Sequence, residues 1–158
     1  MSPSSILMGD LQPGNARYAI AMSRFNGFIV ERLLDGALEA LTAQGVERDR
    51  ISIVQVPGAW ELPLAVQTLA QRQDIDAVIA LGTVIRGETA HFDYVAGECV
   101  RGLNRAMLDS AKPVTLGVLT VETVEQAEAR SCPSDNKGAE AALAAMEMVS
   151  LAARLASE

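Results

Sequence analysis

An unbroken apolar run, Ala77-Val78-Ile79-Ala80-Leu81, limits the folds open to this chain more than any other feature. A strand with one face in water alternates apolar and polar residues, whereas a strand covered on both faces is apolar throughout. Such strands are typical of a parallel sheet between two layers of helices. We therefore predict that residues 77–85 form a strand of a buried parallel sheet.

Strand-like and helix-like segments alternate along the chain. Strands are predicted over residues 16–25, 51–56, 77–85 and 113–120, and helices over residues 28–44, 61–73, 92–110, 124–130 and 136–156. The first helix has an apolar stripe of Ile29 or Leu33, Leu34, Ala37, Leu38 and Leu41, and Gly45 suits its C-terminal cap. The repetition predicts a doubly wound, flavodoxin-like α/β fold: three layers, with a four-stranded parallel sheet between helices on both faces.

Chain length and net charge limit the classes of function that this chain can have. We expect the 158 residues to form one domain, with residues 1–15 flexible or in contact with another subunit. The net charge of −7 argues against nucleic-acid binding, which needs clustered Lys and Arg. Residues 1–15 show no basic, apolar signal pattern, and no apolar run approaches the roughly 20 residues of a membrane helix. These features predict a cytoplasmic protein that binds neither nucleic acid nor membrane.

Metal chemistry is not expected from the two cysteines. Cys99 and Cys132 are far apart and share no metal-ligand spacing with each other or with His91. We expect two reduced thiols and no metal.

The single histidine, His91, follows a glycine-bearing turn at the end of the predicted strand 77–85. Because the ordinary pKa of histidine lies nearest neutrality, a lone copy there is a candidate for proton transfer. The alternative is a hydrogen-bonded histidine at a helix N-terminus.

The same turn resembles a Walker A loop, with Gly82, Gly87 and Thr89 in place, but Glu88 stands where the lysine should be. Nucleoside triphosphate binding is therefore not expected, because that lysine neutralises the β and γ phosphates. Backbone N–H groups and the Thr89 hydroxyl at a helix N-terminus still suit a single phosphate. The alternative is that glycine serves only the backbone geometry.

Aromatic and charged residues follow the other predicted strands. Phe25 and Trp60 suit the stacking of a flat heterocycle, and Glu61 suits hydrogen bonds from ligand hydroxyls. Arg130 suits a phosphate. The alternatives are a core position for Phe25, a capped helix start at Trp60 and Glu61, and a solvated surface arginine.

A series of motifs extends from about residue 17 to residue 155. They are Arg24-Phe25-Asn26, Leu34-Asp35-Gly36-Ala37, Val56-Pro57-Gly58-Ala59-Trp60-Glu61-Leu62-Pro63, Asp76-Ala77-Val78 through His91-Phe92-Asp93-Tyr94-Val95, Gly117-Val118-Leu119-Thr120, Glu125-Gln126-Ala127 and Asn136-Lys137-Gly138. In this order they resemble the lumazine synthase family of riboflavin biosynthesis.

The resemblance implies a transferase that condenses 5-amino-6-(D-ribitylamino)uracil with 3,4-dihydroxy-2-butanone 4-phosphate, without metal or organic cofactor. It implies that Phe25 stacks on the pyrimidine, that the Ala59 backbone and Glu61 hold the ribityl chain, and that His91 moves protons. The further substrate-binding residues it implies are Val84 and Ile85 for main-chain contacts to the heterocycle, Gly87, Glu88, Thr89 and Arg130 for the phosphate, Lys137 close by, and Trp60, Thr83 and Leu116 without a more specific role.

The resemblance also implies a homo-oligomer built from pentamers, with the site between subunits and the arginine supplied by the neighbour, and riboflavin synthase as a partner. Two positions depart from the family pattern. Leu116 stands where many relatives carry phenylalanine, and the segment 131–135 is about one residue shorter than in shell-forming relatives and contains Pro133. We therefore expect a free pentamer or a pair of pentamers rather than a shell.

Two other functions remain compatible with the sequence. One is a non-catalytic flavin or lumazine binder that uses the same pocket, and the other is a structural assembly protein with a vestigial pocket.

Overall fold

A four-stranded parallel sheet forms the centre of the computed structural model, which describes residues 4–158. The strands are β1 (Tyr18–Ser23), β2 (Ile51–Val56), β3 (Ala77–Ile85) and β4 (Val114–Val121), and their order is β2-β1-β3-β4. The first seven residues of β3 are buried, as the apolar run predicts. Strand β1 is shorter than predicted, because Arg24 and Phe25 already belong to the loop that follows it.

Five helices connect and flank the strands. They are α1 (Gly27–Ala43), α2 (Leu62–Ala70), α3 (His91–Ser110), α4 (Val124–Ala129) and α5 (Lys137–Ala156), with single 3₁₀ turns at Arg48–Arg50 and Ala59–Glu61. Helix α2 begins later and ends earlier than predicted, because the 3₁₀ turn takes its start and the chain leaves the helix after Ala70. A small antiparallel hairpin that the sequence did not predict lies between α4 and α5 and is formed by β5 (Ser131–Cys132) and β6 (Asp135–Asn136).

Each face of the sheet carries its own apolar core. On one face, Ile20 and Leu81 pack with Leu33 of α1 and Met146 of α5. On the other face, alanines of β1 and β3 pack with residues of α2 and α3 such as Val66 and Leu103. Helices therefore cover both faces, and the predicted three-layer α/β fold is confirmed.

Helix α1 follows most of its predicted stripe. Its buried residues are Ile29, Val30, Leu33, Ala37 and Leu41, whereas Leu34 and Leu38 are only partly buried. The difference arises because the buried face is centred on Leu33 and Ala37, which places Leu34 and Leu38 at its border. Gly45 has a φ of 95°, and the N–H of Val46 donates to the carbonyl of Leu41 (3.1 Å), so the predicted C-terminal cap is confirmed.

Asn136 joins α5 to α1. Its Oδ1 accepts a hydrogen bond from the N–H of Ala139 (3.0 Å), and its Nδ2 donates to the carbonyl of Arg32 (2.9 Å). Two glycines lie at this crossing: a side chain on Gly36 would collide with the Asn136 amide, and one on Gly138 would collide with the carbonyl of Leu33. The motif Asn136-Lys137-Gly138 is therefore a helix start fitted against another backbone.

Part of the N-terminal segment lies along α5. The N–H of Asp10 donates to Ser150 Oγ (3.1 Å), and Arg154 binds both the Asp10 carboxylate and the carbonyl of Met8. Ile6 is exposed. Residues 1–3, which belong to the segment predicted to be flexible or intersubunit, lie outside the described residues.

Both cysteines are free thiols. Burial raises the pKa of Cys99 to about 11, and Cys132 is partly exposed in the β5–β6 hairpin. Within residues 4–158, no group of three or more His, Cys, Asp and Glu side chains is placed to hold a metal ion. None of the helices described is both long and apolar enough to cross a membrane.

Gly138→Ala is expected to destabilise the fold by about 1–3 kcal/mol, because the new methyl group forces α5 away from the Leu33 carbonyl. Gly27→Ala is the matched control, since a methyl group there meets no atom within 4 Å. Urea unfolding at one fixed protein concentration measures both variants, and equal midpoints would contradict the close contact.

Candidate active site

A cavity of about 810 Å³ lies at the carboxyl ends of β1 and β3. Strand β1 continues into α1 on one face of the sheet, and β3 continues into α3 on the other, so the two connections diverge and leave a crevice. The cavity is lined by Phe25, Asn26, Pro57, Gly58, Ala59, Trp60, Glu61, Thr83, Val84, Ile85, Gly87, Thr89, His91, Phe92, Tyr94 and Val95. Its volume suits a small-molecule ligand.

Hydrogen bonds join the loops around this cavity to one another. The N–H groups of Arg24 and Phe25 donate to the carbonyls of Val56 (2.8 Å) and Pro57 (3.0 Å), which connects the loops after β1 and β2. The N–H of Arg86 donates to the carbonyl of Val121 (2.9 Å), which connects the loops after β3 and β4. These bonds continue the sheet pairing past the ends of the strands and hold the loops in one arrangement.

Asn26 connects the loop after β1 to β3. Its Nδ2 donates to the carbonyl of Thr83 (2.9 Å), and its backbone has a φ of 57°, in the left-handed region. Asparagine is among the few side chains that adopt this conformation readily. Asn26 therefore turns the chain from β1 into α1 and holds the neighbouring Phe25 at the cavity.

Three aromatic side chains border the cavity and remain open to solvent. Phe25 is 71% exposed, Trp60 is 60% exposed and Tyr94 is 69% exposed. Phe25 is therefore not a core residue of this chain, and its ring is accessible for stacking. Exposed aromatic rings beside a cavity suit a flat heterocyclic ligand.

Glu61 closes the turn that carries Ala59 and Trp60. Its Oε2 accepts a hydrogen bond from the N–H of Gly58 (3.0 Å), so the capped start expected as an alternative is present. The side chain is nevertheless exposed and lines the cavity. One carboxylate can accept several hydrogen bonds, so capping the turn leaves capacity for a ligand hydroxyl.

The turn after β3 leads directly into the first turn of α3. Thr89 Oγ1 accepts a hydrogen bond from the N–H of His91 (3.3 Å), and His91, the first residue of α3, is exposed and lines the cavity. The N-terminus of a 20-residue helix carries partial positive charge and unpaired N–H groups. The region suits an anion next to a proton-transfer group.

Four of the predicted site residues do not line the cavity of this chain. Glu88 is exposed on the turn, and Leu116 is exposed on the edge strand β4. Arg130 lies at the end of α4, where its Nη1 donates to the carbonyl of Gln126 (3.0 Å). Lys137 Nζ donates to Glu140 (2.6 Å), and this hydrogen bond raises the pKa of Lys137.

The cavity also contains residues that the sequence analysis did not select, above all Asn26 and Tyr94. Tyr94 lies three residues after His91 on α3, and this spacing places both side chains on one helix face. The helical spacing from His91 therefore indicated Tyr94 as a cavity residue. No sequence spacing indicated the role of Asn26, because its hydrogen bond to Thr83 joins residues that are distant in sequence.

Comparison with known proteins agrees with this architecture. The family model of 6,7-dimethyl-8-ribityllumazine synthase matches residues 15–153. The match includes all strands of the sheet, every residue that lines the cavity, and the residues Leu116, Arg130 and Lys137 outside it. Because it covers nearly the whole chain, the resemblance seen in the sequence motifs is confirmed, and the chain belongs to the 6,7-dimethyl-8-ribityllumazine synthase family of enzymes.

Proposed function

We propose that the cavity between β1 and β3 is where this enzyme carries out the reaction of its family. That reaction condenses 5-amino-6-(D-ribitylamino)uracil with 3,4-dihydroxy-2-butanone 4-phosphate to 6,7-dimethyl-8-ribityllumazine and releases phosphate and water. The observation that carries the proposal is the convergence of Phe25, Glu61, Thr89 and His91 on one cavity from three different loops.

The pyrimidine side of the cavity is formed by the loops after β1 and β2. Phe25 stacks on the ring with Trp60 nearby, while the Ala59 backbone and the Glu61 carboxylate hold the ribityl chain. The exposure of both aromatic rings and the position of Glu61 at the cavity wall support these roles.

Strand β3 supplies main-chain contacts to the heterocycle. Its pairing with β1 ends at Met22 and Leu81, whereas its pairing with β4 continues to Ile85 and Val121. Successive residues of a strand direct their peptide groups to opposite sides. Since the Thr83 carbonyl faces Asn26, the peptide groups of Ile85 also face the cavity, where a planar amide-like ring can bind them.

Thr83 contributes a second feature to this wall. Its hydroxyl is buried and has no hydrogen-bond partner among residues 4–158. An unpaired buried hydroxyl carries a desolvation cost that a ligand's polar group can offset. This supports the assignment of Thr83 to the pyrimidine side, while Val84 lines the cavity beside it.

The phosphate side is formed by the turn 86–90 and the start of α3. Gly87 and Thr89 lie at the phosphate, and His91 moves protons beside it, while Glu88 is exposed and does not line this chain's own cavity. The amine of the pyrimidine attacks the ketone directly, so no lysine of the enzyme forms a Schiff base. Loss of phosphate and ring closure then need protons near neutral pH, which His91 can transfer.

Holding the two substrates side by side supplies much of the acceleration. The cavity is large enough for both ligands and open to solvent at its aromatic rim. The enzyme therefore depends on orientation more than on one strong acid or base.

The site is completed by a second subunit. We propose that Arg130, with Leu116 and Lys137, reaches the cavity of a neighbouring copy, as the family's pentamer implies. The position of all three outside the cavity of their own chain, on exposed or partly exposed surfaces, supports this arrangement. Arg130 then supplies the full positive charge that the turn 86–90 lacks.

The assembly is proposed to be a cytoplasmic homo-oligomer of single-domain subunits, a free pentamer or a pair of pentamers, with riboflavin synthase as a further partner. The segment 131–135 forms the short β5–β6 hairpin around Pro133. Light scattering is expected to show a particle of five or ten chains, and a large hollow shell would refute this preference.

The direct test follows lumazine formation by absorbance with purified protein and both substrates, against a protein-free control. Formation well above the background supports the proposal. Binding of the pyrimidine without any acceleration would instead support the non-catalytic lumazine binder.

His91→Ala is expected to lower kcat by about 10- to 100-fold and to change both KM values little, because orientation persists while proton transfer slows. Steady-state kinetics with each substrate varied in turn measures the effect. An unchanged kcat would remove His91 from the proton-transfer role.

Arg130→Ala is expected to raise the KM of the phosphate substrate by about 10-fold or more while kcat falls less, because a charge-assisted contact to phosphate is lost. Arg130→Lys, which keeps the charge but not the planar geometry, should recover part of the affinity. A selective effect on the pyrimidine KM would contradict the assignment.

A mixture of Glu61→Ala and Arg130→Ala chains, unfolded and reassembled together, is expected to show higher activity, with both substrates below their KM, than either variant reassembled alone. If each site uses Glu61 from one chain and Arg130 from the next, random mixing at equal amounts restores about a quarter of the sites. Each variant reassembled alone is the control, and no gain on mixing would show that each site lies within one chain.

A further inference from the structure

Arg86, which does not line the cavity, joins three elements around the active site. Its Nε donates to Glu122 Oε2 (2.7 Å), and its Nη2 lies 3.1 Å from Asp93 Oδ1. The guanidinium carbon lies 4.4 Å from the centre of the Phe92 ring. The backbone N–H of Arg86 also donates to the carbonyl of Val121.

These contacts connect the turn after β3, the loop after β4 and the first turn of α3. Arg86 opens the turn after β3, Glu122 follows β4, and Phe92 and Asp93 belong to the first turn of α3 directly after His91. Residues 86–90 are all exposed, Ala90, the residue before α3, makes no side-chain capping bond, and the bond from the N–H of His91 to Thr89 Oγ1 is long (3.3 Å). A helix start of this kind frays easily unless other groups hold it.

Glu122 is itself fixed at the start of α4. Its N–H donates to Gln126 Oε1 (2.8 Å), and Thr123 caps the helix by accepting a hydrogen bond from the N–H of Gln126 (3.1 Å). The carboxylate that binds Arg86 is therefore attached to a defined helix end. The Asp93 carboxylate, in the first turn of α3, is the second anion that Arg86 binds, and its hydrogen bond raises the pKa of Arg86.

Arginine suits this place better than lysine. A planar guanidinium can bind two carboxylates through different nitrogens and stack on an aromatic ring at the same time. A lysine ammonium is a point charge and cannot keep all three contacts.

We propose that Arg86 is a positioning residue, which holds the first turn of α3 and the turn 86–90 in place and so sets the location of His91 and of the phosphate-binding N–H groups. Its importance for turnover rests on the proposed function, whereas its effect on His91 does not. Arg86 acts through Phe92, Asp93 and Glu122 and does not touch substrate.

The first test uses the fact that the chain contains one histidine. In tag-free protein labelled only at the imidazole Cε1, the carbon–proton correlation spectrum contains a single histidine side-chain signal. We expect Arg86→Gln to shift or broaden this signal and Arg86→Lys to restore it only in part. Arg101→Gln is the matched control, because it removes an exposed ion pair of the same helix, to Glu98 (2.8 Å), away from the cavity.

The second test is kinetic. Arg86→Gln is expected to lower kcat roughly 10-fold, since a small displacement of catalytic groups is costly, and to raise the KM of the phosphate substrate. The KM of the pyrimidine should stay within about 2-fold, because its contacts lie on the loops after β1 and β2. Glu122→Gln should reproduce part of the loss in kcat. The kcat of the double variant should fall by a smaller factor than the product of the two single-variant factors.

The proposal is overturned if the histidine signal and both kinetic constants of Arg86→Gln match those of Arg101→Gln. It is also overturned if both KM values rise equally, which would indicate general loosening. An inactive wild-type enzyme would refute the proposed function, while the histidine signal would still test the positioning role. If Arg86→Gln does not fold, Glu122→Gln and Arg86→Lys apply the same criteria.

Discussion

Burial of β3 on both faces is the constraint on which the rest of the structure depends. Its apolar residues hold α1 and α5 on one side and α2 and α3 on the other, so one strand joins both cores. Strand β3 also extends past the end of its pairing with β1 while it stays paired with β4. The same strand that organises the core therefore opens peptide groups toward the cavity at its carboxyl end, next to the divergence of α1 and α3.

The candidate site combines this rigid base with loops that have little regular structure. Backbone hydrogen bonds join the loops after β1 and β2, and the Asn26 amide joins the first of them to β3. The Arg86 side chain joins the turn after β3, the loop after β4 and the start of α3. Each exposed ion pair is weak by itself, but groups held in one network lose less freedom when they bind a ligand. A reaction that depends on orientation benefits from such loops, because small displacements of reacting groups are costly.

The crossing of α1 and α5 shows how packing directs residues away from the cavity. Gly36 and Gly138 permit close approach of the two helices, and Asn136 fixes the start of α5 against α1. Lys137, at the start of α5, is partly exposed, Arg130, after α4, is exposed, and neither lines the cavity of its own chain. Charged residues placed there suit a neighbouring subunit better than their own site, which agrees with the proposed shared active site.

The sequence by itself determined the elements and the family. Strands β2 and β3 have the predicted bounds because the alternating segment of β2 ends at Pro57 and the apolar run of β3 ends at the polar turn 86–90, which are local signals. The placement of Phe25, Glu61 and His91 at the cavity was predictable because parallel strands bring their carboxyl ends to one edge of the sheet. Only the tertiary structure decided the strand order, the hairpin around Pro133, the roles of Asn26 and Arg86, and the separation of Arg130 from the cavity. The hairpin was not predicted because its two strands are only two residues long each. The other features depend on contacts between distant residues and on how helices pack, and no local pattern of side chains records them.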